Sequence, residues 1–523
     1  MSELLLIITL GVTVLVGTTI GGRYRVAPPV LLICFGALLA LLPPLADVVL
    51  APEVVLVLFL PAILYRESLA TSLREVRANF VVITLLAVGL VGATMVAVAL
   101  VAQRLGVDPA VAWVLGAVLA PTDAAAVAGL AKRMPRRLLT TLRAESLIND
   151  GTALVLFAVA LGLLHGGEAP SVFELLGRIG LSFLGGIAAG VLVGTVVILI
   201  RKRLDDPLRE GALSVLTPFA AFFLADSIHE SGVLAVVVAG LMIAFAGPRV
   251  IRAPSRVLAL AFWDLTTFLI NGGLFVLVGM QIPRAVRGVS SVSLARAIVI
   301  ALVVAGVLVA VRMLWLHLTA GIARLLDRRK ARLDRRVNWR VRTVAGWAGF
   351  RGAVSLAAVL AVPLNADGGP VRERDLIIFC VATVILLTML VQGTTLPLVM
   401  SWAGLAGDAD RDDETRQAKA HATRVTLGAL PGIADRVGAD QEATQRLRDE
   451  YESHLGAVQA GPESESAAAR ETERRLRLAA LEHKRQEITR MRDSREIDEA
   501  VLRELQAELD LEELRLLGQK PAD

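Results

Sequence analysis

Residues 120–130 read A-P-T-D-A-A-A-V-A-G-L, and residues 144–157 read A-E-S-L-I-N-D-G-T-A-L-V-L-F. Both stretches are apolar enough to lie in a bilayer, yet together they carry Asp123, Glu145, Asn149 and Asp150. An ionisable side chain at the centre of a membrane helix costs about 2.5–3.5 kcal/mol on insertion scales. Residues kept there against that cost line a cavity, pair with one another or handle ions. The four polar residues therefore predict a helical membrane protein with a polar site inside it.

Composition agrees over the whole chain. With 523 residues, 55% of them hydrophobic, and a mean hydropathy of +0.64, there is more apolar surface than a water-soluble fold can hide. Charge is unevenly placed: residues 1–406 alternate long apolar runs with short polar connections, whereas residues 407–523 are rich in charge and hold no run long enough to span. The expectation is a transporter domain over 1–406 and a helical soluble tail over 407–523. Cys34 and Cys380 lie in separate apolar runs with no C-x-x-C or metal spacing, which argues against a disulfide framework or a zinc site. No cofactor motif stands out, and the net charge of +5 comes with Arg clusters beside apolar runs, which fits lipid headgroups and not nucleic acid.

At roughly 20 apolar residues per crossing, the sequence divides into about thirteen spans: 3–21, 28–46, 49–70, 79–102, 109–131, 138–164, 172–200, 211–228, 232–247, 257–282, 291–323, 342–363 and 374–404. Alternate connections are basic, from Arg23 and Arg25 through Lys132 to Arg137, Arg201 to Arg203 and the dense run Arg324 to Arg342. The other set is poor in positive charge, with Arg284 and Arg287 as the exception. Since Lys and Arg mark the cytoplasmic side, the N-terminus is expected outside and the tail inside. The first segment has no basic n-region and no A-x-A site, and reads as a retained span. In the tail, Val501, Leu505 and Leu509 recur at helical spacing beside Leu502, Leu511 and Leu514, which predicts an amphipathic helix over 497–517.

Two spans look interrupted. Pro121 removes a backbone hydrogen bond and is followed by Thr122 and Asp123, whose carboxylate is expected to cap the half-helix that starts after it. The second interruption is G-W-A-G-F-R-G-A-V-S-L-A, with Arg351 between Phe350 and Gly352. Paired broken segments in the two halves of a hydrophobic chain indicate inverted repeats with a midplane site. On the sixth span Ser146 and Asp150 share one face, and Glu145 and Asn149 share another about 100 degrees around. A buried Arg351 needs an anion, and Glu145 is the expected partner. Asn149 reads as an orienting amide, with Asn271 and Gln392 as helix-to-helix hydrogen bonders.

These pieces, with L-P-A-I-L-Y-R-E-S-L near Glu67, F-L-I-N-G-G-L-F-V-L-V-G-M-Q and V-Q-G-T-T-L-P, fall in order over Leu56 to Pro397 and resemble the NhaP-type monovalent cation:proton antiporters. One departure is Ala124, where the family often has Pro after the Asp. The resemblance implies an all-α, thirteen-helix fold: a moving core from about 79–164 and 291–404 containing two crossed broken helices, and a dimerisation scaffold from the rest. It implies Asp150 as the proton and cation carrier, Ser146 and Thr122 as further ligands of the monovalent cation, and Glu145 with Arg351 as a core ion pair; Asp123, read from its own place at the break, is expected to contribute directly to transport, with capping alone as the alternative. Glu67 would reach the site through water.

The function expected is secondary antiport of a monovalent cation, Na+ first with Li+ or K+ as alternatives, against H+ in a bacterial inner membrane, by a homodimer. With Asn149 where a second acid would add charge, exchange is expected to be one for one. A cation channel or proton-gated sensor is the rival reading; it needs polar faces on many spans, whereas the polar residues converge on few. An intramembrane enzyme is disfavoured, because no H-E-x-x-H or G-x-S-x-G motif is present.

Overall fold

The computed structural model describes the chain except residues 1, 25–26, 44, 46–54, 79, 124–133, 135, 165–170, 289–292, 327–337, 363–364, 367–368, 371–372, 406–408, 461–464, 495 and 518–523. Its contacts divide the chain into two units, Met1–Gly407 and Asp408–Asp523. Both are helical. The strands among the described residues are Asn365–Ala366 and Gly369–Pro370, which pair antiparallel.

The first unit holds α1 (Ser2–Tyr24), α2 (Pro28–Leu39), α3 (Leu60–Ala70), α4 (Phe80–Arg104), α5 (Pro109–Leu119), α6 (Arg136–Leu164) and α7 (Val172–Arg201). It continues through α8 (Pro207–Asp226), α9 (Gly232–Val250), α10 (Ala253–Gly288), α11 (Leu294–Leu326), α12 (Trp339–Trp347), α13 (Ala353–Leu360) and α14 (Arg374–Trp402). Among the described residues, nine helices are long and apolar enough to cross a membrane. The other expected spans appear as shorter pieces: α2, α3 with a π turn before it, α5, and the interrupted pair α12 and α13. Their shortness has local causes. Alpha5 ends at the break before Pro121, and α12 and α13 are separated by the Gly-rich G-F-R-G.

The helix starts follow their sequences. Asp108 accepts from the backbone N–H of Ala110 at 2.9 Å and stands before Pro109, Ser171 and Glu174 form a reciprocal capping box on α7, and Ser231 accepts from Leu234 N–H at 3.2 Å. The eighth and ninth spans are separate helices, divided by a turn in which His229 adopts a positive φ of 59°.

Packing relies on small residues where backbones cross. Gly36 of α2 faces Gly279 of α10, and a Cβ on either would strike the partner's backbone at Val276 or Ile33. Such close approach gives dispersion contacts that lipid tails cannot replace. One buried apolar cluster joins α4, α5, α6, α11, α13 and α14 with α2 and α10, and a second joins α3, α7, α8 and α9. Outward residues such as Leu181 and Leu184 on α7 are exposed, as a lipid-facing surface requires.

In the second unit, α15 (Ala409–Val437), α16 (Gln441–Ala460), α17 (Glu465–Asp493) and α18 (Glu499–Leu517) follow in order. The predicted terminal helix is present, but its buried stripe is narrower than the sequence pattern implied. Leu502 and Leu509 are buried, whereas Val501, Leu511 and Leu514 are exposed. Arg485 of α17 pins the hairpin by donating to Asp510 and Glu513 of α18, both at 2.6 Å.

Candidate ion site at two crossing helix breaks

Alpha5 stops at Leu119, leaving the carbonyls at its C-terminal end without helical partners. Arg351, only 2% exposed, fills that need: its guanidinium donates to the carbonyls of Ala120 and Pro121. A cation at the negative end of a helix dipole is favourable, and more so away from water. The reciprocal arrangement holds on the other side. Asp123 lies against Gly352, the residue that opens α13, so an anion sits at that helix's positive end. Asp123 N–H also donates to Phe350 O at 2.9 Å, tying the two unwound segments together. Each break thus supplies the charge that the other lacks. The half-helix expected after Asp123 falls on 124–133, outside the described residues, as does Ala124.

Helix α6 passes beside this crossing with both predicted faces in use. Thr122 Oγ1 accepts from Asn149 Nδ2 at 2.9 Å and donates to Glu145 Oε1 at 3.2 Å, so Glu145 and Asn149 grip the first break. Asn149 Nδ2 also reaches Thr122 O at 3.4 Å. The Thr122 hydroxyl, having given its proton and taken one, has one lone pair that these two bonds do not use. On the second face Ser146 and Asp150 are buried, Asp150 being 3% exposed. Asp123 and Glu67 lie within electrostatic reach of Asp150, so three carboxyl groups gather from the α5 break, α3 and α6. Glu67 is half-buried on α3.

One expected pairing is different. Glu145 does not pair with Arg351 directly. Its two oxygens are taken by Arg312 of α11, with Nη1 on Oε1 and Nη2 on Oε2 at 3.1 Å, while Arg312 Nε donates to Ala345 O at 3.2 Å. The reason is geometric: Arg351 is drawn to the free carbonyls at the break, and Arg312 reaches the carboxylate in a two-point fork. Arg312 carries the same sequence signal as Asp150, a lone charge inside an apolar run, which the loop-by-loop reading of cations passes over. Arg201 is a similar case. Placed with the loop residues by sequence, it is buried with Glu210 of α8, 4.0 Å away. Asn271 Oδ1 and Gln392 Oε1 are buried and make no hydrogen bond among the described residues.

Crossed helix interruptions with neutralised ends, beside a buried acid, are the architecture of a membrane ion transporter. Residues 11–402 match the family model for the transmembrane sodium/hydrogen exchanger. The chain is 52% identical over 527 residues to an uncharacterised Na+/H+ exchanger of Mycobacterium tuberculosis, covering 99% of this chain and 97% of that protein. It is 34% identical to the Na+/H+ antiporter NhaP of Pseudomonas aeruginosa, over 66% of this chain and 80% of that one. The solved sodium proton antiporter MjNhaP1 of Methanocaldococcus jannaschii shares the fold, with a TM-score of 0.56 at 21% identity over 75% of this chain and 100% of that one. The chain belongs to the sodium/hydrogen exchanger family, in its NhaP-type branch. It is a multi-pass membrane protein and a secondary cation/proton antiporter, not an enzyme.

Proposed function

We propose that the protein exchanges Na+ for H+, one for one, at Asp150. The observation that carries this reading is the gathering of Asp150, Asp123 and Glu67 at the crossing of two interrupted helices. A buried carboxylate with oxygen neighbours takes up either a proton or a hard monovalent cation, and mutual exclusion at one site is sufficient for exchange. Ser146 and the remaining lone pair of Thr122 supply further oxygen ligands, and Asp123 adds negative charge. Glu145, Arg312, Asn149 and Arg351 hold the frame. No resident cofactor is needed, because the cation and proton are themselves the cargo.

Exposure of the site to each side in turn follows from movement of a core, about 79–164 and 291–404, against a scaffold that dimerises with a second copy. The loop charges support an outside N-terminus and a cytoplasmic tail in a bacterial inner membrane. Na+, Li+ and K+ are all to be assayed, since one relative, from Bacillus pumilus, is described as a sodium, potassium, lithium and rubidium/H+ antiporter.

The test is dequenching of a pH-sensitive dye in everted vesicles on addition of Na+, Li+ or K+. The native chain should respond and Asp150→Asn should not. Equal responses would remove Asp150 from the mechanism, and a cation-dependent current during exchange would overturn the one-for-one stoichiometry.

A further inference from the structure

Tyr65, Arg66 and Glu67 are consecutive on α3, so their side chains leave the helix about 100 degrees apart. Each has its own neighbour. Tyr65 is buried edge-on against Trp263, with ring centroids 5.1 Å apart. Arg66 Nε donates to Asp264 Oδ1 at 2.6 Å, with side-chain exposures of 18% and 23%. Glu67 lies within electrostatic reach of Asp123 and Asp150. Trp263 and Asp264 are themselves consecutive on α10, so one helix fixes two of the three directions.

We propose that Asp264 is a positioning residue for exchange: by holding Arg66 aside, it keeps a second guanidinium, beyond that of Arg143, from closing on the anionic site formed by Asp150, Asp123 and Glu67. This rests on the reading of Asp150 as the carrier. Among the described residues, the charged groups facing Glu67 are Asp123 from the α5 break, Asp150 and Arg143 from α6, and Arg66 beside it on α3. A guanidinium does not lose its proton at any working pH, so a freed Arg66 cannot be displaced by deprotonation. It would turn to Glu67, the carboxylate of the site within its electrostatic reach, and compete there with the transported ion. Competition of that kind weakens apparent cation affinity and spares the maximal rate.

The experiment measures exchange against Na+ concentration in everted vesicles made with the full chain. Asp264→Asn should raise the KM for Na+ about tenfold, taking for the cation the lower end of what one opposite charge does to a carboxylate's proton affinity, with the maximal rate close to native. Asp264→Glu should keep native behaviour, and the double variant Arg66→Gln with Asp264→Asn should return KM to within about twofold of native, because the competitor is gone. Abundance and melting temperature of each variant show whether it folds, and the rescue by Arg66→Gln separates competition from loss of structure. A native KM in Asp264→Asn, or a double variant as impaired as the single one, overturns the proposal. Asp150→Asn assayed in parallel tells the failures apart: if it is silent while Asp264→Asn is native, the carrier reading stands and only the role of Asp264 falls.

Discussion

Arg312 grips both oxygens of Glu145 across 167 residues of sequence, and both side chains are almost fully buried. The pair joins α6 to α11, and Glu145 also accepts from Thr122, so the first helix break is anchored through it to α11. Removing one member leaves the other charged and buried, which costs about 3–5 kcal/mol. Glu145→Gln and Arg312→Gln should each lower the melting temperature of the solubilised protein clearly. The combined Glu145→Gln, Arg312→Met variant should melt above either single one, since no charge is then stranded. Native-like melting in both single variants would remove the pair from the frame.

Asn149 acts through donation, its amide nitrogen bonding Thr122 Oγ1 at 2.9 Å. Aspartate at this position has the same shape but no donor, and it sets a second carboxylate beside the Glu145 that Thr122 already serves. Losing one buried hydrogen bond and leaving its partner unsatisfied costs about 1–3 kcal/mol. Asn149→Asp is therefore expected to reduce thermal stability and to slow exchange, with Asn149→Ala less harmful to stability than Asn149→Asp. The reverse order would show that the amide does not hold Thr122 through its N–H.

Much of this was legible in the sequence because the cost of a charge in lipid leaves a visible mark. Asp150, Asn149 and Glu145 stand out from apolar surroundings, and helical spacing alone separates the face carrying Asp150 from the face that grips Thr122. Pro121 and the glycines around Arg351 mark both interruptions. Which cation meets Glu145 was not legible, because Arg312 and Arg351 are equally plausible at the level of charge, and only the free carbonyls of Ala120 and Pro121 decide between them. The same holds for Asp123. Sequence order relates it only to the half-helix that follows, on residues outside those described, and gives no sign that the crossing sets it against Gly352 on the other interrupted span. Such contacts depend on where two breaks meet in space, and no local pattern encodes that.

Gly352 offers a direct probe of the crossing. A Cβ there would run into the carboxylate of Asp123, so even alanine must push that side chain away from the start of α13. Gly352→Ala is expected to impair exchange severely while abundance in the membrane falls much less, because the displaced group belongs to the site and not to the apolar clusters. Gly306→Ala, with open space at its Cβ position, is the matched control and should behave as native. Full exchange in Gly352→Ala would mean that Asp123 does not need its place at the helix start.

Glu373 stands at the rim of the membrane unit, just before α14. Partial burial raises its carboxyl above the ordinary 4.5, against the lowering effect of the Asp108 N–H that donates to it, and the nearby Asp108 charge adds to the rise. The folded state therefore holds this proton to a higher pH than the unfolded chain does. In the interval above 4.5 the native state binds more protons, so stability falls as pH rises. The contribution is complete below the unfolded value and is lost as pH climbs through the raised one. Glu373→Gln stays neutral throughout, which removes that loss while keeping an acceptor oxygen for Asp108 N–H. Melting temperatures from about pH 4.5 to about pH 7.5 should decline less steeply in Glu373→Gln than in the native chain. Parallel curves would show that Glu373 ionises as freely in the folded protein as in the unfolded one, and that the rim carries none of the pH dependence.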